Sequence, residues 1–239
     1  IIFDGLVFEE ANVDTSILML SKNDNRESFE WSKIEPHNID NVSFISRPYS
    51  NIRLESRYEF FEFISYEWEE IRKKLRNDTI SLKEIRKISL GMKLKGNDIF
   101  VVNEKDPEHP DLIVFGKDVN FYAPLNKNHY FSWCDSIKIG GTQNHKIYQY
   151  KTKILIQAIR NLSLERRIIA TIDQNSCYFV GTVNGLTPRG SEFDFVIDEH
   201  FLLAIVNSNL LNEYFKSQYT TISLTAAFLG ELPIKKTNI

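Results

Sequence analysis

The chain has 239 residues, 42% hydrophobic and 26% charged, with a formal net charge of −3, and is long enough for one large or two small domains with an ordinary core. No apolar run approaches the ~20 residues that cross a bilayer, so no membrane partner is expected. Cys134 and Cys177 lie far apart, form no metal spacing and suit a reducing, cytoplasmic compartment.

Charge is unevenly spread. Residues 1–80 carry 16 acidic and 10 basic side chains, whereas residues 81–180 carry 15 basic and 10 acidic. A net of −3 does not describe a nucleic-acid binder as a whole, but the basic excess is gathered in one window.

In chain order, residues 1–8 and 16–20 read as two short strands around a turn, too little to stand alone. Residues 23–51 are polar, with Pro36 and Pro48, and read as a linker with a short strand at 42–45. Residues 56–77 predict a helix, because Phe60, Phe61, Ile64, Trp68, Ile71 and Leu75 recur at three- and four-residue steps. Ser81 and Glu84 have capping-box spacing for a helix over 82–88. Short runs rich in β-branched and aromatic residues predict strands at 99–102, 112–115, 129–133, 168–172 and 177–180. Residues 146–160 read as a helix turning into a strand at 153–157. Residues 183–190 read as a turn-rich loop, and residues 199–214 as one helix. This irregular alternation predicts an α+β fold of small mixed or antiparallel strands with packing helices.

Catalytic constellations are missing. The five histidines have no zinc spacing, no carboxylate–lysine set suits a magnesium nuclease, and Gly140-Gly141 lacks a strand–helix phosphate frame. The expectation is a chain with no catalytic residues, no metal and no cofactor of its own.

Taken as an ordered series, residues 90–104 (LGMKLKGNDIFVVNE), 111–122 (DLIVFGKDVNFY), 151–159 (KTKILIQAI), 167–188 (RIIATIDQNSCYFVGTVNGLTP), 201–215 (FLLAIVNSNLLNEYF) and 229–234 (LGELPI) resemble the TaqI-like C-terminal specificity domain of adenine-specific DNA methyltransferases in restriction–modification systems. The resemblance covers roughly residues 79–239. It implies a module that binds double-stranded DNA and selects a site for a methyltransferase domain of the same polypeptide. That domain would hold S-adenosylmethionine and an Asn/Asp-Pro-Pro-Tyr/Phe loop for the flipped adenine, neither of which these residues contain. Residues 1–22 resemble the last strands of such a catalytic domain, or are an N-terminal hairpin of this one; residues 23–78 would then be linker and aromatic helix. The alternative reading is a protein-interaction domain docking another subunit through that helix.

The candidate DNA-binding residues lie in polar segments beside predicted strand ends. Lys93 and Lys95 suit phosphate contacts, and Asn97 suits the N6/N7 edge of adenine. Lys117 is the phosphate candidate of its segment, because the resemblance puts an arginine or lysine where Phe121 stands; Tyr122 is assigned to the core. Lys138, Gln143, Asn144 and Lys146 flank the diglycine and either reach base edges or form a surface loop. Thr187 and Arg189 occupy the predicted 183–190 loop, where Arg189 pairs with a guanine or with a carboxylate such as Asp194. Asn207 and Ser208 are read as a cap or brace. Lys93 and Lys95, Lys117 and the 135–146 loop are expected to share one concave basic surface, because loops at one end of a sheet gather into a single rim.

Overall fold

The computed structural model describes residues 1–3, 7–8, 15–22, 26–49, 66–96, 100–125, 128–134, 138–190, 197–219 and 221–235. Two compact units are present, Ile1–Phe63 and Ile64–Ile239. The first contains β1 (Ile2–Phe3), β2 (Ser28–Trp31), β3 (Lys33–Ile34) and β4 (Ile45–Pro48), with β1 parallel to β3 and β2 antiparallel to β4. Of the hairpin expected over residues 1–20, the described residues show a bridge between Ile2 and Ser16, with Ile17, Leu18, Met19 and Leu20 exposed outside any strand; residues 4–6 and 9–14 lie outside the described residues.

The second unit opens with α1 (Tyr66–Arg76), the described part of the expected aromatic helix; residues 56–65 lie outside the described residues. There follow β5 (Thr79–Ser81), α2 (Leu82–Ile85), β6 (Arg86–Leu90), β7 (Lys93–Leu94), β8 (Asp111–Val114), β9 (Tyr130–Phe131) and β10 (Lys138–Gly140). The remainder comprises α3 (His145–Tyr148), β11 (Lys153–Gln157), β12 (Ala170–Asp173), β13 (Tyr178–Phe179), β14 (Val183–Pro188), α4 (Glu199–Val206), α5 (Asn209–Lys216), α6 (Ala226–Gly230) and β15 (Pro233–Lys235). The fold is α+β. Among the described residues no helix is long and apolar enough to cross a membrane.

A four-stranded antiparallel sheet, ordered β12-β11-β14-β6, forms the centre. Successive side chains of a strand point to opposite faces, so β11 serves two cores. Ile154 and Ile156 join Leu82, Ile85, Leu186 and the helical residues Leu202, Val206, Leu211 and Phe215. Leu155 points the other way, to Met92, Ile113, Phe131, Ile147, Tyr148 and Phe179. Burial on both faces explains the unbroken apolar run of this strand.

Several local expectations yield to long-range pairing. Ser81 and Glu84 form the capping box, with the Glu84 carboxylate 2.8 Å from the Ser81 N–H. The helix nevertheless stops at Ile85, because residues 86–90 pair with β14. The loop expected at 183–190 is β14 itself, an inner strand. Its Gly185 lies under the Phe179 ring, where a Cβ would come within 2.3 Å of Cζ. Around Val102 there is only a bridge to Tyr130, and residue 99 lies outside the described residues.

The single helix expected over 199–214 is two helices. Ser208 caps α5 by accepting the Leu211 N–H at 3.1 Å. Buried Asn207 accepts the Ala170 N–H and donates to the Ala170 carbonyl, both at 2.9 Å. These two residues therefore cap and brace, as their types suggested.

Candidate nucleic-acid interface

Three backbone segments meet closely where the chain leaves the central sheet. Leu90 ends β6 opposite Asn184; Met92 then bridges in parallel to Val180, donating its N–H to the Phe179 carbonyl and accepting the Gly181 N–H at 2.8 Å. Gly91 makes that crossing possible, since a Cβ there would lie 2.2 Å from the Val180 carbonyl oxygen. Gly141 is packed as tightly: its φ is +68° and a Cβ would meet the Gly91 carbonyl at 2.1 Å. The diglycine thus serves backbone packing.

Beyond the crossing, β7 and β10 form a short antiparallel ribbon in which Lys93 faces Gly140 and Leu94 faces Lys138. Lys93 and Lys95 are exposed; Lys138 lies on the ribbon, and Asn97 falls outside the described residues. The register of β13 against β8 carries the Met92–Val180 row on to Phe115. Lys117 follows in the 3₁₀ turn Gly116–Asp118, exposed, its ammonium 5.8 Å from the Phe115 ring centroid. Met92 and Phe115, which lead into Lys93 and the Lys117 turn, therefore lie in one row two strand spacings or roughly 10 Å apart. The turn is held by the Asp118 carboxylate on the Phe115 N–H at 2.9 Å and by the Thr182 hydroxyl on the Gly116 N–H.

Gln143, Asn144 and Lys146 lie the other way along the ribbon. The Thr142 N–H reaches the Leu90 carbonyl at 3.2 Å, so the chain from Gly140 onward runs back toward the central sheet. Asn144 spends its carboxamide oxygen on the Lys146 N–H and caps α3. Gln143 and Lys146 are exposed.

Thr187 and Arg189 sit in a third place. Pro188 pairs with Arg86, whereas Asn184 pairs with Leu90, which separates Arg189 from the ribbon by about five residues of strand, ~16 Å. Thr187 is fully buried, so its hydroxyl faces no solvent. Arg189 donates to the Lys83 carbonyl on α2. The surface expected for Lys93, Lys95, Lys117 and the 135–146 loop is thus distinct from the end of the sheet that carries Thr187 and Arg189, because residues 183–188 are strand.

An aromatic wall that the sequence did not single out supports the ribbon. Trp133, His145, Tyr148 and Tyr178 have ring centroids 4.5–5.7 Å apart. His145 Nε2 is 2.6 Å from the Tyr178 hydroxyl, and the Tyr148 hydroxyl donates to the Thr142 carbonyl at 2.5 Å. Burial raises both phenols well above the usual tyrosine range; Tyr178, with the Asp111 carboxylate adding to the effect, is pushed up to about 12. Both remain protonated at neutral pH. No local pattern announces the wall, since its members come from three separate segments, with only His145 and Tyr148 sharing one.

Tyr122 corrects its core assignment. It is 53% exposed, sits at φ +50° and donates to the Ala204 carbonyl at 3.2 Å. The guanidinium of Arg166 lies 4.1 Å over the neighbouring Phe121 ring, while its N–H groups bond to the Asn207 carbonyl and Asn209.

The family model of the TaqI-like C-terminal specificity domain matches residues 111–234, more than half of the chain. The chain belongs to that family. Among solved structures it is similar to the HsdS subunit from Thermoanaerobacter tengcongensis, at 14% identity and a TM-score of 0.42, over 71% of this chain and 39% of that one. The chain thus spans well under half of that subunit. No curated protein matches it.

The match to the specificity domain starts at β8, yet the unit physically includes earlier residues. β6 supplies an edge of the central sheet, β5 pairs with β15, and Leu82 and Ile85 are core. Lys93, Lys95 and Asn97 precede the matched range, whereas Lys117, Lys138, Gln143, Asn144, Lys146, Thr187 and Arg189 fall within it.

Proposed function

We propose that this chain is the DNA target-recognition module of an adenine-specific DNA methyltransferase or fused restriction–modification enzyme, acting in the cytoplasm on double-stranded DNA. Membership of the specificity-domain family carries the reading; the exposed Lys93, Lys95 and Lys117 around the β7–β10 ribbon support it. Residues 79–239 act as the recognition domain, residues 23–78 as linker and helix, and residues 1–22 as the tail of a methyltransferase domain in the same polypeptide. That catalytic domain binds S-adenosylmethionine and transfers the methyl group. The present residues lack both the glycine-rich turn and the Asn/Asp-Pro-Pro-Tyr/Phe loop that this chemistry requires.

Lys93, Lys95, Lys117 and Lys138 contact phosphates, Gln143 and Lys146 approach the duplex from the segment that follows β10, and Asn97 contributes a polar contact to the DNA. Thr187 and Arg189 shape the sheet end and its contact with α2. A fluorescence-anisotropy titration of labelled duplex, at low and at physiological salt, tests the reading. Binding is expected to be weak and strongly salt-dependent, each phosphate contact adding roughly −0.9 to the log–log slope. Joint Lys93→Glu and Lys95→Glu substitution is expected to weaken binding uniformly across sequences. Undetectable binding at low salt would overturn the reading.

A further inference from the structure

Within the DNA-recognition reading, on which this inference rests, we propose that Gln143 is the residue that reads a base directly, an adenine approached from the major groove, and that Tyr148 is its positioning residue.

Four consecutive residues, Thr142 to His145, form the tip that follows the diglycine. Three are fixed. Thr142 is held through its N–H by the Leu90 carbonyl and through its own carbonyl by the buried Tyr148 hydroxyl. Asn144 accepts the Lys146 N–H on its side chain and the Ile147 N–H on its carbonyl. His145 is hydrogen-bonded to Tyr178 and packed on Trp133, with centroids 4.5 Å apart. Gln143 alone is exposed with no side-chain partner among the described residues. A backbone immobilised on both sides removes the loop-ordering cost of binding and leaves only the Gln143 rotamers to be ordered, which favours a selective contact.

The chemistry then selects the base. A glutamine carboxamide offers one acceptor and two donors, and pairs bidentately with N6 and N7 of adenine in the major groove. Asn144 has the same group but its oxygen is already used as the cap. Arg189 is tied to the Lys83 carbonyl, and Thr187 is buried. Spacing agrees: Thr142 is level with Leu90, three residues from Lys93, or roughly 10 Å of extended chain, comparable with the ~12 Å width of the major groove. Lys93 and Lys95 can therefore rest on a phosphate strand while Gln143 enters the groove.

The test is selection of bound sequences from duplexes with a short randomised segment, using this chain, Gln143→Ala, Tyr148→Phe and Lys93→Glu/Lys95→Glu. Gln143→Ala is expected to lose preference at one adenine position by roughly tenfold to a hundredfold, with all other positions and the salt slope unchanged. Tyr148→Phe should relax that same position part-way, while urea melts report whether the fold is intact. The double lysine variant should bind less of every sequence without changing the motif. If Gln143→Ala retains every preference, or if the parent chain binds duplexes with no enriched sequence, the inference is overturned while the DNA reading stands. Failure of the parent chain to retain any duplex at low salt overturns the DNA reading itself.

Discussion

Replacing Lys153 by methionine probes the most deeply buried charge near the ribbon. Lys153 and Asp173 face each other across β11 and β12, both with fully buried side chains, the ammonium 2.6 Å from the carboxylate. The ammonium also donates to the Tyr148 and Tyr150 carbonyls at 3.1 Å each, so its three protons are all used. Asp173 in turn accepts the Asn175 and Cys177 N–H groups at 2.8 Å. Lys153→Met keeps the aliphatic stem but leaves a carboxylate in the core without its counter-ion. Breaking a buried pair in this way costs about 3–5 kcal/mol. With a urea dependence of about 2 kcal/mol per molar, the midpoint should fall by roughly 1.5–2.5 M. Lys153→Met/Asp173→Asn removes both charges and should recover at least half of that loss, because the penalty lies in the orphaned ion. Urea melts of the parent, both single variants and the double variant decide the matter by circular dichroism. A Lys153→Met loss below ~1 kcal/mol, or a double variant equal to the sum of the singles, would refute the argument. The same lysine holds the carbonyl end of α3, so the single variant should also loosen the tip that carries Gln143.

Two further outcomes follow from the local geometry. Gly141→Ala should destabilise the ribbon and blunt sequence selection, because φ is +68° and the added Cβ would meet the Gly91 carbonyl at 2.1 Å; unchanged stability and selection would show that the three segments do not meet this closely. The Asp198 carboxyl is held below its usual range by the Phe201 N–H, then by the His200 N–H, at the start of α4. A depressed folded-state value means that its stabilisation is complete above the unfolded value of about 3.9 and is lost as pH falls through the lower folded one. Asp198→Asn should therefore flatten part of the acid-side fall of the urea midpoint, and an unchanged acid slope would count against this cap.

Where a residue's partner is a close sequence neighbour, local pattern was enough. Ser81 and Glu84 cap each other three residues apart, and the KILIQ run is a strand at its expected bounds because β-branched residues suit a strand buried on both faces. The α+β class and the family followed from the order of such blocks rather than from any one of them. What tertiary structure alone decided depends on partners scores of residues away. Asn184, Gly185 and Pro188 have poor strand propensity, yet pairing with β6 and β11, and the Phe179 ring over Gly185, make this segment an inner strand and bury Thr187. The break at Asn207 exists because Ala170 on an edge strand needs a partner for its outward N–H and carbonyl. Among the polar candidates, type alone ranked Asn144 with Gln143. Only the fold engages one as a cap and leaves the other exposed on a tip fixed by Leu90, Tyr148 and Tyr178, because a side chain is available for recognition only when the backbone and its neighbours have not already claimed its hydrogen bonds.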